Sequence, residues 1–131
     1  MTEDKQNHSI NTQSIRINAL RYLTMFQWAQ IPVWLSLGYV LDLNIINTGI
    51  LMVIFALCAT LARFVIGNRP AAWDIQAICF AAGQPGAIVY MFMGHPWQID
   101  AHMYFFACLA VVSAFVSWRP IVFAATAIAV H

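Results

Sequence analysis

The run His95-Pro96-Trp97-Gln98-Ile99-Asp100-Ala101-His102-Met103-Tyr104 puts two imidazoles and a carboxylate at the mouth of an apolar segment. Histidine changes charge near neutral pH, is the commonest metal ligand and serves as an axial ligand of haem. On one helix His95 and His102 would be nearly eclipsed at about 100° per residue, with Gln98 between them and Asp100 about 160° from His102. A ligating imidazole usually gives its second nitrogen to a carboxylate, carbonyl or water. His95, Asp100, His102 and the more distant His131 therefore make a candidate metal set. His95, His102 and His131 make a candidate cofactor set, with Gln98 and Gln84 as outer partners. A haem b iron or a transition metal such as copper or zinc suits these donors, although the spacing matches no metal or haem motif. His95 beside a proline is equally a solvated or capping group, and His102 is equally a neutral imidazole bonded to a neighbouring helix.

Composition predicts what must position these groups. Of 131 residues, 62% are hydrophobic and 8% charged, with a mean hydropathy of +0.73, whereas water-soluble domains carry about 25% charged residues. The apolar residues come in blocks separated by short polar punctuation, which fits an all-α polytopic transmembrane helical bundle and not the alternation of barrel strands. Ionisable groups are expensive in a bilayer, so those that persist there mark function.

Residues 1–18 read as a polar cytoplasmic tail with no cleavage site, and residues 19–131 as the transmembrane domain. Spans are expected from about Leu20 to Leu41, Ile45 to Ile66 and Trp73 to Met93, the third interrupted and kinked at Gly83-Gln84-Pro85-Gly86. Pro96 suits the first turn of a fourth span reaching roughly Val116. A fifth run, Ile121 to His131, covers about 17 Å against roughly 30 Å of hydrocarbon, so it is expected to continue beyond His131. The expectation is about four full spans plus a truncated fifth.

Orientation follows from charge. Lys5, Arg16, Arg21, Arg63, Arg69 and Arg119 all fall on one side of this topology, which the positive-inside rule makes cytoplasmic. The Asp42 turn and the His95 to Asp100 turn then face outward. His131, about 18 Å beyond Arg119 by helical rise, reaches the same outer half.

The remaining residues are quieter. Cys58, Cys79 and Cys108 lack C-x-x-C spacing and read as packing residues. Trp73, Trp97 and Trp118 stand at span ends as interfacial anchors. Gln27, Gln30 and Gln76 bridge helices within a bundle. There is no phosphate loop, no nucleophile with an adjacent base, no catalytic carboxylate pair and no basic nucleic-acid patch, so neither an enzyme nor a nucleic-acid binder is expected.

The stretch from His95 to Ala107, followed by Leu109-Ala110, Trp118-Arg119-Pro120-Ile121 and Ala129-Val130-His131, resembles the N-terminal membrane region of a group of bacterial methyl-accepting chemotaxis proteins. The resemblance is specific over about Gly94 to His131 and general before it. It implies a sensory input module in the inner membrane, with membrane lipid, a second copy of the chain and a cytoplasmic signalling domain as its partners. No HAMP-like linker, methylation helix or signalling tip is present in these residues. Two other readings stay open: a haem-binding electron-transfer subunit using the same histidines, and a small transporter using the broken third helix as a midplane site.

Overall fold

The structure, a computed structural model, describes residues 2–115 and 117–130. It is all-α. Helix α1 is Thr2–Val40, α2 Ile45–Ile66, α3 Pro70–Ile78, α4 Gln84–Met91, α5 Gln98–Val112 and α6 Trp118–Val130. A π-helical turn, Cys79–Gly83, joins α3 to α4, and a 3₁₀ turn, Ser113–Phe115, extends α5.

Local chemistry accounts for the boundaries. From Thr2 to Ile31 the chain has neither proline nor glycine, so nothing stops the polar first residues from joining α1. The expected tail is therefore the first part of a helix. α1 ends in a Schellman motif: Leu43 N–H donates to Gly38 C=O at 2.9 Å, Asp42 N–H donates to Tyr39 C=O at 3.2 Å, and Asp42 takes φ 55°. That left-handed position is usually glycine's. α2 starts and stops where the sequence predicts, between Asn44 and Gly67. Pro85 has no N–H and its ring crowds the carbonyl four residues back. Immediately before it the ladder widens, and Gln84 N–H donates to Cys79 C=O, five residues earlier. This π turn stands where a kink was expected.

The expected four spans plus a truncated fifth are overturned. Among the described residues two helices, Ile45–Ile66 and Gln98–Phe115, are long and apolar enough to cross a membrane. α1 falls short because Thr24, Gln27 and Gln30 dilute its apolar half, and Pro70–Met91 because it is divided into three short pieces. α6, Trp118–Val130, is apolar but short.

The bundle buries polar side chains beside its apolar core and leaves large apolar side chains outside. Buried positions include Thr24, Gln27, Gln30, Thr48, Asp74, Gln76 and Gln84, while Ile46, Ile54, Phe64 and Val65 of α2 lie exposed. Beyond Met52 the inner face of α2 is small: Ala56, Ala59 and Ala62. Small residues let helix backbones approach closely. The closest approach is at Gly83, where a Cβ would stand 2.5 Å from the Phe55 ring. Apolar contacts form two clusters. One gathers Leu20, Leu23, Trp73, Phe80, Val112 and Phe115, and the other Ile31, Met52, Ile88, Phe92 and Phe105.

Candidate functional site: a buried glutamine seam

Threonine and glutamine at residues 24, 27 and 30 recur every three positions and fall on one side of α1. They meet Gln76 of α3 and Gln84 of α4. Thr24 Oγ1 donates to Leu20 C=O at 2.7 Å and lies 3.0 Å from Gln76 Oε1. Gln76 is also bonded to Gln27. Gln84 Oε1 accepts from Gln30, and Gln84 Nε2 lies 3.2 Å from both Gln27 C=O and Met52 C=O. The Tyr104 hydroxyl donates to Gln30 Oε1 and brings α5 into the same chain of bonds. Gln27, Gln76 and Gln84 are fully buried and Gln30 nearly so. Gln27 Nε2 has no partner among the described residues. Buried amides away from water keep their hydrogen bonds at a premium, so the seam fixes how α1, α2, α3, α4 and α5 meet.

At the end of the bundle holding Arg16 a charged pair continues the connection. Asp74 is buried, and its Oδ2 lies 3.0 Å from Arg119 at the start of α6. Burial pushes the Asp74 carboxyl above its ordinary range, and the Arg119 guanidinium pulls it part of the way back. Asp74 Oδ1 has no partner among the described residues. Arg16 donates to Phe115 C=O at 3.0 Å and sits 4.7 Å over the Trp73 ring. Trp73, expected as an interfacial anchor, is a buried core residue that donates to Asn68 Oδ1 at 2.9 Å. Trp118, 72% exposed, does suit an interfacial place.

The histidines lie at the other end. α5 begins at Gln98, so Pro96 precedes the helix instead of opening it, and His95 stands in the turn Phe92 to Trp97. The eclipsed stripe assumed for His95, Gln98 and His102 therefore does not form. His95 Nδ1 accepts from Trp97 N–H at 3.2 Å, and its ring packs edge-on against Phe92 and Trp97. His102, exposed, places Nδ1 2.8 Å from Gln98 C=O in its own helix. Gln98 Oε1 accepts from Gly94 N–H at 3.2 Å. Asp100, in the first turn of α5, is exposed and complements the positive helix end. Among the described residues no three His, Cys, Asp or Glu side chains form a group able to hold a metal ion, so His95, Asp100 and His102 are not brought together as one. His131 lies outside the described residues. Gln84 serves the glutamine seam, not the histidines.

Sequence reading assigned Gln27, Gln30 and Gln76 to bridging between helices, as found, but missed Thr24, Tyr104 and Asp74. An acid three residues inside an apolar run was the available signal for Asp74. Comparison with family models, with characterised proteins and with solved structures returns no match to this chain.

Proposed function

We propose that this chain is the transmembrane sensory input module of a bacterial chemoreceptor-type signalling protein. It sits in the inner (cytoplasmic) membrane with its N-terminus cytoplasmic, acts as a homodimer and passes its state to a cytoplasmic signalling domain. The observation that carries the reading is the buried seam from Tyr104 through Gln30 and Gln84 to Gln27, Gln76 and Thr24. Each amide can both donate and accept, so a ligand that takes one seam partner replaces the packing these bonds hold with a second one of α1 against α3–α4 and α5. Asp74 and Arg119 link α3 to α6, so such a shift reaches α6.

Further support comes from the surface and from charge. The apolar outer face of α2 is what a bilayer covers, and two helices suffice in length and apolarity to cross one. Arg16, held at Phe115, and Arg119, held at Asp74, gather at one end, as the positive-inside rule expects of a cytoplasmic face. The resemblance of residues 94–131 to chemoreceptor membrane regions supplies the output class.

The test is a hybrid receptor joining this chain to a chemoreceptor signalling domain, with kinase output measured in membranes. Gln84→Met and Arg119→Met are expected to displace the output baseline while the protein remains inserted at wild-type levels. Inserted variants with an unchanged baseline would refute the relay. A Soret band in the purified chain, lost in His102→Ala, would replace it with the haem-binding reading.

A further inference from the structure

Three depressions follow one another between α1 and α5. The outermost, 430 Å³, is lined by Trp34, Phe92, Trp97 and Tyr104 with Asp100 at its rim. The middle one, 310 Å³, shares Trp34 and Tyr104 with it and adds Gln30. The innermost, 600 Å³, shares Phe26 and Ala29 with the middle one and runs on to Ala19 and Ala114. Shared walls make them one trough.

We propose that this trough binds a neutral lipophilic molecule with a planar carbonyl-bearing ring and a long hydrocarbon tail, the chemistry of an isoprenoid quinone. Four features select that class. Aromatic walls at the outer end suit a flat ring: Trp34 stands edge-on to Tyr104 at 5.3 Å and to Phe92 at 6.3 Å. Between ring and tail, the Gln30 amide is 95% buried and commits one hydrogen to Gln84. The amide nitrogen carries a second hydrogen and Gln30 lines the middle depression, which makes it the donor for the ring's carbonyl oxygen. From Trp34 to Tyr22 the apolar α1 wall runs about 18 Å, room for a tail. No basic side chain lines the trough among the described residues, and Asp100 stands at its rim. That charge pattern disfavours the anionic heads of fatty acids and phospholipids.

The site deepens the sensory reading, since Gln30 is the seam's link to Tyr104, and a carbonyl taking its free N–H would bias the seam directly. It rests on that reading only for its consequence, not for binding. Binding is therefore measured without any output, on this chain in lipid nanodiscs, with a tritiated decyl-benzoquinone at equilibrium. The expected result is saturable binding near one per chain, weakened about fivefold in Gln30→Met by the lost hydrogen bond and blocked in Trp34→Ala. Decylbenzene and decanoate should fail to compete. Non-saturable partition alone, equal competition by decylbenzene, or unchanged affinity in a folded Gln30→Met chain would each overturn the site. Trp34→Ala removes none of the seam's amides, only an indole bonded to the Tyr104 side chain, so it tests the site even if Gln30→Met does not fold. Binding confirmed with no effect on hybrid-receptor output would keep the site and defeat the sensory reading.

Discussion

Replacing Gln84 by methionine keeps the side chain's length and removes its hydrogen-bonding capacity, which isolates what the seam contributes. Gln84 is fully buried and makes three bonds: one accepted from Gln30 and two donated, to Gln27 C=O and Met52 C=O at 3.2 Å each. Interhelical bonds in membrane cores average about 0.6 kcal/mol, with a maximum near 1.7, so the three together stabilise the bundle by roughly 2 kcal/mol. The two backbone acceptors lie inside helices and keep their ladder bonds, whereas Gln30 loses a partner for a buried donor, which adds about 1 kcal/mol. Methionine recovers part of this by filling the same volume with apolar atoms. The net expectation is a loss of about 1.5–2.5 kcal/mol, read by SDS-titrated unfolding in bicelles followed by tryptophan fluorescence. A double-mutant cycle with Gln30→Met should give a coupling of about 0.6 kcal/mol or more, above the roughly 0.3–0.5 kcal/mol scatter of independent sites. A Gln84→Met chain as stable as wild type, or strict additivity with Gln30→Met, would refute the seam as an energetic unit.

Gly83→Ala should destabilise by about 1–3 kcal/mol, since its methyl would stand 2.5–2.8 Å from Phe55 ring atoms; Gly83→Ala/Phe55→Ala should recover part of the loss in the same unfolding assay. Asp42→Gly should stabilise by about 0.5–1 kcal/mol, because glycine takes the left-handed φ of 55° without strain. A neutral or negative result there would mean that the Asp42 side chain holds the turn. Burial holds the Asp74 pKa above its unfolded value, so its contribution to stability is complete below about pH 3.9 and is lost as pH rises through the folded value. Thermal melts should show that slope reduced in Asp74→Asn and steepened in Arg119→Met, which leaves the carboxylate without its cation. Identical pH profiles in all three chains would contradict the buried-pair account.

The sequence was most legible where punctuation is strong. Asn44 and Gly67 bound α2, and Gly83-Gln84-Pro85-Gly86 marked the break, because proline and glycine act through the backbone whatever surrounds them. It was least legible where neighbours decide. Hydropathy treats a glutamine as polar whether it faces water or another glutamine, so α1 lacks the apolarity expected of a span while burying those same residues, and Pro70–Met91 is cut into pieces too short to count. The histidine stripe failed for a different reason. Pro96 is compatible with a first helical turn but equally with the turn before it, and moving the helix start to Gln98 removes His95 from the helix face. Tyr104 reads as one more aromatic in a run of apolar residues, and no periodicity reveals that its hydroxyl meets Gln30 across the bundle.

The π turn explains how the seam closes. α1 and the α3–α4 segment run in the same direction, so Gln27 and Gln30 meet Gln76 and Gln84 in the same order along both. In an unbroken helix residues eight apart are offset by about 80°, and Gln84 would face away from the side Gln76 presents to α1. One extra residue in the turn Cys79–Gly83 makes eight positions behave as seven, and the offset falls to about 20°. Pro85 forces the ladder to widen, and Gly83 lets the widened turn lie against Phe55. Proline, glycine and glutamine are each unfavourable inside an apolar helix. Together they convert a local backbone fault into the register that pairs two amides with two others, and a helix that already holds one turn in an alternative ladder is the natural element to shift when a seam partner changes.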